Sequence, residues 1–91
     1  MNICFFIGKI ISDVDFQFII YDRKNISITI FEIELINKSK ITIMGYNELA
    51  DFCYRYLKKE DKIILQGYLK NEKIVILENV QLWDILFWDI F

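Results

Sequence analysis

The chain has 91 residues, of which 55% are hydrophobic and 16% aromatic, and a net charge of −2. That makes one domain with a modest core, too apolar to be intrinsically disordered and without an apolar run near the roughly 20 residues that cross a bilayer, so no membrane partner is expected. With no histidine, and with two cysteines, Cys4 and Cys53, 49 positions apart, the sequence offers no zinc-ligand spacing and no Ser/His or Cys/His nucleophile pair, so neither an enzyme nor a bound metal or cofactor is expected.

The opening MNICFFIGK lacks a basic leader region and a cleavage site, and the chain is expected to act in the compartment where it is made. Asn2 to Ile11 instead predicts a strand. Ile3, Phe5 and Ile7 share one face, and Gly8 interrupts the run as glycines do at bulges and barrel bends. Phe16 and Phe18 have strand spacing within Asp13 to Tyr21, and Asp22, Arg23, Lys24 and Asn25 supply a polar turn. Ile26 to Ile36 is β-branched almost throughout, but its apolar phase slips. Ile26, Ile28 and Ile30 have one parity and Phe31, Ile33 and Leu35 the other, which predicts an extra residue or a strong bend. Ile36 to Ile41 makes a hairpin connection into Lys40 to Met44, with Ile41 and Ile43 facing in and Thr42 and Met44 facing out.

Asn47 to Leu69 changes period from helix to strand. Leu49, Phe52, Cys53, Tyr56 and Leu57 fall on one helical stripe. Asn47 is placed to cap the first turn with its side chain. Glu48 and Asp51 suit the positive end of the helix dipole, and Arg55, Lys58 and Lys59 the negative end. After Asp61 the pattern alternates, with Ile63, Leu65, Gly67 and Leu69 on one side and Lys62, Ile64, Gln66, Tyr68 and Lys70 on the other. Asn71 and Glu72 turn the chain into a final strand, Lys73 to Leu82, whose start is apolar on both faces. A mainly β fold follows, five strands with one α-helix between strands 3 and 4, which is the order of an OB-fold Greek-key barrel over residues 1–82. Residues 83–91, WDILFWDIF, form an apolar tail. Trp83, Phe87, Trp88, Ile90 and Phe91 are expected to pack on the barrel or at a protein interface.

Ile, Lys, Asn, Phe and Tyr, whose codons are rich in A and T, supply 47 of the 91 residues. The opening NICFFIGKI, the positions Ile28, Phe31, Ile33 and Leu35, the segment LADFCYRYLKKEDKIILQGYL and the closing ILENVQL together resemble the bacterial-type single-stranded DNA-binding proteins. With the codon usage, they resemble the short members of that type encoded in algal plastid genomes, which implies a chloroplast location. The resemblance implies binding of single-stranded DNA or RNA with little sequence preference, and assembly as a homo-oligomer. Two departures bear on function. Where the family's turn has glycine this chain has Glu60, so a left-handed backbone there costs about 1 kcal/mol. The tryptophan that opens the family's third strand is absent from Ser39 to Ile41.

A single-strand binder needs cations along the backbone path and ring faces for bases. Lys9, Lys40, Thr42, Lys62, Tyr68, Lys70 and Lys73 are the candidates on the strands, with Arg55 and Tyr54 on the helix as lesser ones. Glu32 and Glu34 face outward as repellents. The ending Trp88-Asp89-Ile90-Phe91 resembles the family's tip that docks DNA-metabolism proteins, without its acidic run. The alternative expectation is an OB-fold protein-interaction module that has lost most nucleic-acid binding, in keeping with the eleven basic and eleven acidic groups of residues 1–82.

Overall fold

The computed structural model describes residues 3–83. In chain order the elements are β1 (Ile3–Ile10), β2 (Asp15–Tyr21), β3 (Lys24–Leu35), β4 (Lys40–Tyr46), α1 (Glu48–Tyr56), β5 (Lys62–Leu69) and β6 (Ile74–Leu82). The strands form one sheet in the order β1-β5-β6-β4-β3-β2, and β1 also pairs with β3. That extra pairing closes β1, β5, β6, β4 and β3 into a five-stranded OB-fold barrel, with the helix after the third barrel strand. The first strand, expected over Asn2 to Ile11, ends at Ile10, and the segment with Phe16 and Phe18 at strand spacing forms a strand of its own, β2, which lies outside the barrel against β3.

The barrel is made of two antiparallel meanders. In one, β2 and β3, and β3 and β4, are each joined by seven residue pairs. In the other, β1 pairs β5, and β5 pairs β6, again through seven each. The seams between them are shorter: three antiparallel pairs from Gly8↔Leu35 to Ile10↔Ile33, and three parallel pairs from Thr42↔Ile74 to Met44↔Ile76. Inside lie Ile10, Phe31, Ile33, Ile43, Ile63, Leu65 and Val75, all essentially without solvent contact, as the alternation of each strand requires. Val75, Ile76 and Leu77 are all buried, in line with the apolar start of β6 on both faces.

β3 does not slip. Its pairing to β4 runs without a break from Ile28↔Tyr46 to Glu34↔Lys40, and Ser27, Thr29, Phe31 and Ile33, one parity throughout, are the buried residues. The apparent change of phase is chemical, because at Ser27 and Thr29 the inward side chains are polar while Ile26, Ile28 and Ile30 point outward. Thr29 is fully buried and donates its hydroxyl to the Asp15 carbonyl at 2.8 Å, which satisfies it where β2 leaves the barrel. The irregularity lies instead on the other meander, between Gln66 and Gly67. A Cβ on Gly67 would fall on the Ile76 carbonyl oxygen and 2.7 Å from Val75 Cγ1, so glycine is what lets β6 pass. At Gly8 the strand continues without a bulge, and the missing side chain admits the Glu34 carbonyl at 2.9 Å from a Cβ position, in the seam between β1 and β3.

The helix plugs one end of the barrel, turned somewhat from the expected stripe. Ala50, Cys53 and Leu57 are buried, Leu49 is half-buried, and Phe52 and Tyr56 are exposed. The inward line is therefore i, i+3, i+7 starting at Ala50, with Phe52 and Tyr56 in contact outside it at 5.1 Å. Asn47 makes no side-chain cap. It stands at φ 55 with its amide bonded to the Ser27 carbonyl at 2.9 Å, and what asparagine contributes is tolerance of a left-handed backbone. The helix ends at Tyr56, so of the basic residues only Arg55 lies in its last turn, and Lys58 and Lys59 belong to the turn beyond.

Candidate nucleic-acid interface

On each barrel strand the residues between the buried ones point outward, and the register says which of them meet. Lys62 on β5 stands across from Lys9 on β1, Lys9 across from Glu34 on β3, and Glu34 across from Lys40 on β4. Two residues on, Thr42 stands across from Ile74 on β6, and its amide bonds to the Lys73 carbonyl at 2.9 Å. The Lys70 amide in turn bonds to the Ile74 carbonyl at 2.9 Å. Because barrel strands are staggered, the line climbs as it circles. It leaves β5 at its first residue, Lys62, and comes back to it just past its last, at Lys70. Lys62, Lys9, Lys40, Thr42, Lys73 and Lys70 thus share one oblique band. Strands sit about 4.8 Å apart, so the part from Lys62 to Lys40 spans about 14 Å.

Acidic groups temper the band. Lys9 Nζ lies 3.6 Å from Glu60, and Lys38 Nζ lies 3.8 Å from Glu34. The first pair is largely open to water and the second leaves its lysine exposed on a mostly covered Glu34, so both hold their lysines only loosely. Glu32, outward across from Thr42, adds a third carboxylate. Lys38 and Glu60 were not among the sequence candidates. The only pointer to Lys38 was its spacing of four residues from Glu34, and Glu60 reaches Lys9 through a fold-dependent meeting of the β5 entry with the end of β1.

The next row across the outer face reads Ile3, Tyr68, Ile76, Met44, Ile30 and Asp15, one residue per strand. Tyr68, 38% exposed, is the ring in this row, followed by aliphatic side chains. Tyr46 is half-buried across from Ile28. Arg55 is exposed on α1 and lies off the strands that carry the lysines. Tyr54 lies against Phe16, ring centroids 4.9 Å apart, on the β2 side of the helix. Of the tail, Trp83 is half-buried and bonds its amide to the Lys62 carbonyl at 2.8 Å, while Phe87, Trp88, Ile90 and Phe91 lie outside the described residues.

No protein-family model matches the sequence, and no curated protein matches it. Solved structures do. The SSB domain of a Synechococcus sp. protein superposes with a TM-score of 0.78 at 14% identity, over 89% of this chain and 94% of that one. Wild-type single-stranded DNA binding protein from Thermus aquaticus gives 0.78 at 17% identity over 92% of this chain, which spans 41% of the Thermus protein. The mitochondrial single-stranded DNA binding protein of S. cerevisiae gives 0.73 at 16% over 91% and 94%. At these identities the likeness is one of fold.

Proposed function

We propose that the chain is a non-catalytic protein that binds single-stranded nucleic acid, DNA in the first instance, along the oblique lysine band. The observation that carries this reading is the pairing register, which lines up Lys62, Lys9, Lys40, Thr42, Lys73 and Lys70 although they come from three strands and a hairpin. Lysines are point charges that answer to phosphate and not to base edges, and the face of Tyr68 suits any base, so sequence preference is low. The solved structures of similar fold that are single-stranded DNA-binding proteins support the same reading.

The test is a titration with poly-dT followed by tryptophan fluorescence at low and high salt. Four phosphate contacts imply a log–log salt slope of about −2.8, a several-hundred-fold loss of affinity over a tenfold rise in salt. Lys40→Gln and Lys70→Gln each flatten that slope by about 0.7. Binding no tighter than about 100 μM at low salt, or indifferent to salt, removes the reading, because phosphate contacts release counterions. In that event the protein-interaction module stands, favoured by Met44 and Ile30 in the outward row, which offer aliphatic surface where a base needs a ring.

A further inference from the structure

We propose that β2 is an interface strand through which two copies of this chain pair edge to edge, antiparallel, about a two-fold axis at Phe18. β2 has β3 on one side and, among the described residues, no strand on the other. The direction of its backbone groups follows from the hairpin. Asp22 and Arg23, at φ 50 and 63, form the two-residue turn between the paired Tyr21 and Lys24, a type I′ geometry closed by a bond between those flanking residues. Hydrogen bonding alternates along an antiparallel pair, so Tyr21, Ile19, Gln17 and Asp15 bond to β3. The same alternation holds on β3, where Ser27 and Leu35 bond away from β2, to Asn47 and Ser39, at 2.9 Å each. The N–H and C=O groups of Phe16, Phe18 and Ile20 are therefore aimed at the open edge.

That edge has none of the usual protections. Phe16 to Tyr21 contains no charge and no proline, and its pairing with β3 has no bulge, whereas edge strands of monomeric proteins carry such devices. Phe18, Ile20 and Tyr21 are 72%, 78% and 70% exposed. The charges flanking the strand say what covers it. Asp13 precedes it and Asp15 is its first residue, while Arg23 and Lys24 leave a net positive charge at the turn beside Asp22. An antiparallel copy sets acidic end against basic end twice, and a parallel one sets like against like. With the axis at Phe18, all of Asp15–Tyr21 is paired through about six hydrogen bonds, Phe16 meets Ile20 of the second copy, and Asp13 comes near Arg23 of the second copy. Moving the axis to Ile19 drives Phe16 onto Asp22, whose left-handed backbone cannot join a ladder. The lysines of the band sit on strands other than β2.

Sedimentation velocity of the full chain over a wide concentration range tests this. The chain is expected to dimerise. Ile20→Lys, at an exposed position that leaves the thermal melt of the dilute monomer unchanged, weakens the dimer at least about tenfold. Asp13→Lys and Arg23→Glu each weaken it about fivefold by opposing like charges, and together they restore it. Deleting residues 84–91 leaves it intact. A chain monomeric throughout, a dimer indifferent to Ile20→Lys, a double exchange no tighter than the single variants, or a dimer lost with the tail would each overturn the proposal.

Discussion

Glu60 holds a backbone conformation that its side chain opposes, and replacing it separates two small energies. Its φ is 81, and the turn around it is fixed. The Glu60 amide bonds to the Ile10 carbonyl at 2.8 Å, the Ile10 amide to the Asp61 carbonyl at 2.8 Å, and the Lys58 amide to Asp61 Oδ2 at 2.9 Å. The chain cannot relax to negative φ without losing them. A left-handed backbone costs an L-residue with a Cβ about 1–2 kcal/mol, and glycine returns roughly half of that through the freedom it gives the unfolded chain. Against this stands the Glu60–Lys9 pair, 3.6 Å long with side chains 68% and 42% exposed, worth about 0–1 kcal/mol and screened by salt. Glu60→Gln removes only the ion pair, whereas Glu60→Gly also removes the strain. Glu60→Gly is expected to exceed Glu60→Gln by about 0.5–1 kcal/mol, or about 2–8 °C in Tm for a domain of this size, read by thermal melts at low and high salt. Both variants release Lys9 and tighten poly-dT binding alike, so stability and binding report separately. If Glu60→Gly melts at or below Glu60→Gln, the strain argument is wrong.

Three further outcomes follow from packing and burial. Gly67→Ala forces a methyl onto the Ile76 carbonyl and Val75; urea melts are expected to lose about 3 kcal/mol or more, since backbone cannot step aside as a side chain does. Thr29→Val keeps the shape but leaves the Asp15 carbonyl without its 2.8 Å donor, a loss of about 1 kcal/mol in the same assay. Burial pushes the Cys53 thiol up from 9.0 to about 12. The folded state therefore keeps this proton where the unfolded chain releases it, and stability falls as pH rises from about 9 toward 12, by at most about 1.4 kcal/mol per unit. Relative to Cys53→Ala, which has no such proton, the wild-type slope of stability against pH is steeper over that range.

The fold was largely legible because each barrel strand alternates and the helix stripe stands between the third and fourth of them. Ile63, Leu65 and Gly67 face in, and Thr42 and Met44 face out, as their spacing says. Hydrophobicity misled at Ser27 and Thr29, where a small inward polar residue satisfied by a neighbouring strand leaves larger isoleucines outside. It misled again on α1, where small Ala50 takes the barrel mouth and bulky Phe52 and Tyr56 pair outside it. The lysines were visible one by one as outward residues. Their alignment was not, because it depends on the stagger at two seams that no local pattern encodes, and the same holds for the meeting of Lys9 with Glu60.

Those seams carry a consequence for the dynamics of the barrel. With three residue pairs each against seven within either meander, they are where the barrel parts first, as two leaves, and their amides should exchange with solvent ahead of those inside the leaves. The lysine band crosses both, at Lys9↔Glu34 and at Thr42↔Ile74. A polyanion lying along it would bridge the leaves twice and bind the closed form better than the parted one. Such a ligand would slow exchange at the seams in proportion to its occupancy, so closure and binding would be two views of one equilibrium.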